Sequence, residues 1–132
     1  MRKREKIMTH LKRILIVDDS DESRSILGLI LHRSWGYDTI EAATGPEAVK
    51  KAISEKPDLI IMDLGLPEIS GVDATKAIKE NSTTAHIPII AHTVWPADSC
   101  KEQALNAGMV DYLEKPVPIA LMKTTIEKFI PH

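Results

Sequence analysis

The sequence predicts an α/β fold: a doubly wound, parallel sheet of five strands with helices on both faces. Three observations carry that prediction. Short apolar runs bounded by turn residues recur five times, each is followed by a helical pattern, and the crossovers are long enough for helices. The central run is Leu59-Ile60-Ile61-Met62, set between Pro57-Asp58 and a loop punctuated by Gly65, Pro67 and Gly71. A run of that length between turn signals reads as a strand buried on both faces. Asp63 follows it directly, at the carboxyl end of a strand, where open α/β sheets hold their ligands. An aspartate that merely caps a turn is the plainer reading of Asp63 alone, so the other strand ends decide.

The bulk composition narrows the field. A chain of 132 residues builds one core and not two. At 43% hydrophobic and 27% charged it has an ordinary globular composition, and a net charge of -2 gives no basis for nucleic-acid binding. Cys100 is the single cysteine, which excludes an internal disulfide and predicts a reducing, cytoplasmic setting. No apolar run approaches the ~20 residues of a membrane span, so no membrane insertion is expected. Residues 1–11, with Arg2-Lys3-Arg4-Glu5-Lys6, read as a basic, flexible, solvated tail, and 12–132 as the single domain.

Taken in order, the first strand is Ile14-Leu15-Ile16-Val17, and it delivers Asp18-Asp19-Ser20 at its carboxyl end. Ile26, Leu27, Ile30 and Leu31 fall on the stripe of an amphipathic helix that Gly36 ends. Tyr37 to Ala42 is a weaker strand, and Asp38, Thr39 and Glu41 place it at an edge. Thr44-Gly45-Pro46-Glu47 is a capping box with proline in the first turn. Its helix buries Ala48 and Ala52, with Val49 and Ile53 beside them, and stops before Pro57. After the central strand, a helix from about Ser70 to Glu80 turns Val72 and Ile78 inward.

Ile87-Pro88-Ile89-Ile90-Ala91 is the fourth strand, with Pro88 tolerated near its start, and it ends in His92-Thr93. Helix four, Ala97 to Ala107, is poor in large apolar residues and stops at Gly108. Val110 to Leu113 is a short fifth strand ending in Glu114-Lys115-Pro116, and Ile119, Met122, Ile126 and Phe129 space out the last helix. Right-handed crossovers with strands one, three and four central agree with the order 2-1-3-4-5, a string supplied by known doubly wound folds rather than by these residues.

One end of this sheet collects Asp18, Asp19, Asp63, Thr93 and Lys115. Three neighbouring carboxylates repel one another unless a cation joins them. Hard oxygen ligands suit Mg2+, which keeps several waters and accepts phosphate as a further ligand. A lysine and a hydroxyl on the opposite rim neutralise and hydrogen-bond a phosphoryl oxygen. The set favours phosphoryl transfer with a carboxylate as acceptor. Singly, Asp19 and Thr93 also read as helix caps and Lys115 as a loop lysine; five such groups on one rim favour the functional reading.

With those residues in place, the chain resembles the receiver domains of two-component response regulators, whose fold is flavodoxin-like. The resemblance lies in Ile14 to Ser20, in Leu59 to Pro67 with Gly71, in Ile87 to Thr93, and in Ala107-Gly108 through Tyr112 to Lys115-Pro116. It implies that Asp63 takes a phosphoryl group from a histidine kinase or histidine phosphotransfer protein in a two-component or phosphorelay system. It implies that Asp19, Asp63 and the Gly65 carbonyl ligate Mg2+, with Asp18 acting through water. Lys115 would contact the phosphoryl group across a cis Lys115–Pro116 bond, Thr93 would be the switch hydroxyl, and Tyr112 the coupled aromatic. The face of helix four, strand five and helix five would then respond and meet a downstream protein target. Partner choice would fall to exposed residues along the first helix, with Ser23 and Ile26 the candidates if they face outward.

The sequence departs from the family pattern beside Thr93, where Val94 replaces the usual small residue and Trp95 follows. With Gly65, these residues would tune the rate at which water reaches the phosphoaspartate. The expected protein catalyses only its own phosphorylation and dephosphorylation, as a monomer or weak dimer without an output domain. Two alternatives stay open: a phosphorylation-independent adaptor, and a receiver fragment of a hybrid histidine kinase. A phosphohydrolase on a related sheet is disfavoured, because its second aspartate stands two residues after the nucleophile, and Asp18-Asp19-Ser20 lacks that spacing.

Overall fold

The computed structural model describes residues 11–130, so the tail expected at 1–11 lies, but for its last residue, outside the described residues. Five parallel strands form one sheet in the order β2-β1-β3-β4-β5. They are β1 (Arg13–Val17), β2 (Asp38–Ala42), β3 (Leu59–Met62), β4 (Ile89–Thr93) and β5 (Asp111–Glu114). The helices between and after them are α1 (Asp21–Leu29), α2 (Gly45–Glu55), α3 (Gly71–Glu80), α4 (Ala97–Ala107) and α5 (Ile119–Phe129).

The period of two along each strand sends alternate side chains to two cores. Ile14, Ile16, Leu59, Ile61, Ile90 and Leu113 pack under α1 and α5 with Leu27, Leu31, Met122 and Ile126. Leu15, Val17, Ile60, Met62, Ile89 and Ala91 pack on the other face with Ala48, Ala52, Val72, Ile78 and Ala104. All four residues of β3 are buried, as its unbroken apolar run requires, whereas β2 keeps only Ala42 buried and lies at the edge. In the capping box, Thr44 Oγ1 accepts from Glu47 N at 3.2 Å, and Glu47 Oε1 accepts from Ala43 N at 2.7 Å. That bond to the Ala43 N–H is the main cause that lowers the Glu47 pKa.

Several expectations change, and among them the second strand starts at Asp38, not Tyr37. The fourth strand starts at Ile89, not Ile87: Pro88 has no N–H for the ladder, and Ile87 N instead donates to Thr84 O at 3.1 Å. The fifth strand shifts by one residue, to Asp111–Glu114. The first helix is regular only to Leu29, and Ile30–Ser34 continues as a wider π turn. Of its predicted stripe, Leu27 and Leu31 are buried, Ile30 is half-buried and Ile26 is 54% exposed. Ile119 on α5 is also exposed. Both isoleucines border a groove between α1 and α5 that no part of the described chain fills.

Candidate functional site

Register places the site. Val17 pairs with Met62, so Asp18 and Asp63 leave the sheet side by side, and Asp63 N donates to Val17 O at 2.9 Å. Met62 pairs with Ala91, and Thr93 with Glu114, which brings Thr93 and Lys115 to the same rim. Asp18, Asp19 and Asp63 each offer an oxygen within 4.8 Å of the others. That donor set, all carboxylate oxygen, fits a hard divalent cation such as Mg2+. Lys115 Nζ lies 2.7 Å from Asp18 Oδ2 and 3.6 Å from Asp63 Oδ2. The Lys115–Pro116 peptide is cis, as the resemblance implied.

Burial pushes the Asp63 carboxyl above its ordinary pKa, and Asp18 adds to the rise; Lys115, the Thr93 hydroxyl and the Gly65 N–H oppose it. Gly65 N donates to Asp63 Oδ1 at 3.2 Å. A divalent cation here would favour the ionised carboxylate, the form that acts as a nucleophile. The loop after β3 closes tightly behind Asp63. A Cβ on Gly71 would stand 2.1 Å from the Asp63 carbonyl oxygen, so only glycine lets α3 start there.

The end of β4 and the loop to α4 are held at three points from β5 and the residue that follows it. Lys115 N donates to Thr93 O at 2.7 Å, and Tyr112 Oη donates to Trp95 O at 2.8 Å. Glu114 Oε1 accepts from Ala97 N at 2.9 Å. The last bond matters because Pro96, at the N-cap, offers no side-chain acceptor to the free N–H groups of α4. Tyr112 is buried, and burial is the leading cause that raises its pKa to about 12. Thr93 is fully buried, and its Oγ1 accepts from Trp95 N at 3.2 Å.

The residues beside Thr93 part company. Trp95 reaches over Gly65, whereas Val94, 67% exposed, turns to the groove between α1 and α5. This groove, about 550 Å³, is bordered by Ile26, Ile30, Trp35, Val94 and Ile119, with His92 and Lys115 also lining it. Ser23 is half-buried along its edge. His92 is half-buried, and desolvation lowers its pKa to about 4.

All the predicted site residues Asp18, Asp19, Asp63, Thr93 and Lys115 therefore meet, with Gly65, Tyr112 and Trp95 around them. Sequence reading passed over Arg24 and Glu114. Arg24 bonds the Asp18 carbonyl and pairs with Asp21 and Glu41. The Asp21–Arg24 spacing of three was a legible helix pair, but contacts to Asp18 and Glu41 depend on the tertiary fold.

A doubly wound sheet that gathers carboxylates, a lysine and a hydroxyl at its carboxyl edge defines a phosphoacceptor class of signalling protein. The response regulator receiver domain family matches residues 14–127, and the chain belongs to that family. It is 34% identical over 119 residues to the polar-differentiation response regulator DivK of Brucella anthropi, covering 90% of this chain and 96% of that protein. Among solved structures it is similar to the receiver domain of a Pseudomonas aeruginosa sensor histidine kinase, which holds magnesium in its active site cleft. The identity is 34%, with a TM-score of 0.84 and coverage of 92% and 99% of the two chains. The chemotaxis protein CheY4 of Vibrio cholerae superposes with the same score at 28% identity, covering 91% of this chain and 99% of that one.

Proposed function

We propose that Asp63 accepts a phosphoryl group from a phosphohistidine and that the resulting charge resets the loop after β4. The observation that carries this reading is the convergence of Asp18, Asp19, Asp63 and Lys115 at one rim, with the Asp63 carboxylate raised in pKa by burial. In the transfer, an Asp63 oxygen attacks phosphorus as the P–N bond breaks, and the bonding pair returns to the donor imidazole. The product is an acyl phosphate.

Asp19, Asp63 and the Gly65 carbonyl would hold Mg2+, with Asp18 reaching it through water. The ion would supply charge neutralisation for the phosphoryl oxygens. Lys115 neutralises one oxygen in the same way. Thr93 donates its hydroxyl to another, and Tyr112 packs into the space behind it. A hydrogen bond to a charged group nets ~1.5–3 kcal/mol, enough to bias a two-state loop by one or two decades. The responding face is α4, β5 and α5, and a downstream target completes the switch there.

The chemistry is confined to the protein's own phosphorylation and dephosphorylation, in a cytoplasmic setting, as a monomer or weak dimer. The donor is a histidine kinase or phosphotransfer protein seated against α1, beside the site. The resemblance to both a free-standing regulator and a kinase-borne receiver supports the same chemistry in either setting. The test is intact-mass analysis after acetyl phosphate and Mg2+. One phosphoryl addition is expected, absent in Asp63→Asn; modification that persists in the variant overturns the assignment.

A further inference from the structure

Resting on the phosphoacceptor reading above, we propose that Arg24 is a positioning residue for the divalent cation, holding the Asp18–Asp19 peptide in the direction that binding needs. Its side chain is only 12% exposed although it sits in the first turns of α1. Three contacts fan out from one guanidinium. Nη1 donates to the Asp18 carbonyl at 2.5 Å, Nη2 pairs with Asp21, and Nε donates to Glu41 Oε1 at 2.9 Å. The fork therefore ties the end of β1, the start of α1 and the edge strand β2 to one rigid plane, which a single ammonium does not reproduce.

The Asp18 carbonyl belongs to the peptide that joins Asp18 to Asp19. Asp18 itself is pinned from two further sides: Oδ1 accepts from Ser20 N at 2.8 Å, and Oδ2 from Lys115. Asp19 is exposed, and among the described residues no hydrogen bond anchors its carboxylate, so the peptide that Arg24 holds sets the backbone from which it projects. Groups that orient metal ligands in this way are worth about 10- to 100-fold in metal affinity.

Electrostatics gives the test a sign. A guanidinium near a cation site repels the cation, and its removal also leaves Asp21 and Glu41 unpaired. If Arg24 acted through charge alone, Arg24→Gln would bind Mg2+ more tightly. If it positions Asp19, the same variant binds more weakly.

The experiment is calorimetric titration of the whole chain with Mg2+ alone, in wild type, Arg24→Gln and Arg24→Lys. Arg24→Gln is expected to weaken binding about tenfold or more, with Arg24→Lys between it and wild type. In the reaction with acetyl phosphate, Arg24→Gln should raise the Mg2+ concentration needed for half the maximal rate. The rate at saturating Mg2+ should stay within about twofold of wild type, since a positioning loss is recovered by mass action. Affinity unchanged or tightened in Arg24→Gln overturns the proposal while leaving the phosphoacceptor reading intact. Absence of Mg2+ binding in wild type overturns both. If Arg24→Gln does not fold, Arg24→Lys decides, since it keeps the charge and loses the fork: weaker Mg2+ binding than wild type supports positioning, and unchanged affinity overturns it.

Discussion

The Trp95 indole lies across Gly65. A Cβ built on Gly65 would stand 3.3 Å from both Nε1 and Cζ2 of that ring. A glycine in the loop after β3 thus makes room for a flat aromatic from the loop after β4, next to Asp63. Trp95 remains 38% exposed, so the ring shields one side of the site and leaves the other to solvent.

Hydrolysis of an aspartyl phosphate needs a water in line with the bond that breaks, and with Asp63 as the proposed acceptor the indole would stand in the way of one approach. Trp95→Ala is expected to shorten the phosphoryl half-life by roughly 3- to 10-fold, about 1 kcal/mol of barrier. Val94→Ala, whose side chain faces the groove instead, is expected to stay within about twofold of wild type. Radiolabelled phosphoryl decay on purified protein checks both; equal half-lives in wild type and Trp95→Ala remove the shield from the account.

Asp63 also sets a pH dependence of stability. Its folded pKa is raised by burial above 3.8, so the folded state binds the extra proton more tightly than the unfolded chain. That stability is complete below pH 3.8 and is lost as pH rises through the higher folded value. Asp63→Asn, neutral throughout, is expected to melt above wild type near neutral pH. The gap should close on acidification and narrow when Mg2+ is added to wild type. Melting curves from pH 3.5 to 7.5 test it, and a gap that does not vary with pH contradicts it.

His92 acts with the opposite sign. Its folded pKa of about 4, set first by desolvation and next by Lys115, lies below the ordinary 6.5. The unfolded chain therefore takes up the proton first, and stability present above pH 6.5 is lost as pH falls toward 4. His92→Gln is expected to flatten that decline by on the order of 2 kcal/mol. Urea midpoints at pH 7 and pH 5 should differ less in the variant than in wild type, and parallel declines would refute the assignment.

The groove between α1 and α5 predicts a separation of donors. Ile26 is exposed on its rim, so Ile26→Arg leaves the cores untouched. Phosphotransfer from a phosphohistidine protein is expected to slow at least about tenfold, the effect of ~1.4 kcal/mol lost at an interface. Reaction with acetyl phosphate, which has no surface to dock, should be unchanged. Equal slowing of both reactions would place the defect inside the site.

The central strand and the acidic rim were legible because each needs only local information. A four-residue apolar run cannot be half-exposed, and a carboxylate directly after it must emerge at the strand end. Asp18, Asp63, Thr93 and Lys115 followed from that rule. What sequence missed depends on contacts made at a distance. Pro88 looked like the second residue of a strand until the absence of its N–H moved the first ladder position to Ile89. Ile26 looked like core because a helix stripe predicts which residues share a face, not whether another element covers them. The three partners of Arg24 lie on β1, α1 and β2, and only the fold brings them within one side chain's reach.

The ties that run from Tyr112, Glu114 and Lys115 to the loop before α4 couple two events that are chemically unrelated. Linkage between equilibria is reciprocal. A target that grips α4 more tightly in one arrangement of that loop must shift the loop by the same free energy, and ~1.4 kcal/mol of preference is a factor of ten. On the proposed reading the loop carries the indole beside the phosphoryl group, so the listener would also adjust how long the message lasts. Signal duration then belongs to the complex rather than to the receiver alone, and an abundant target would act as a clock.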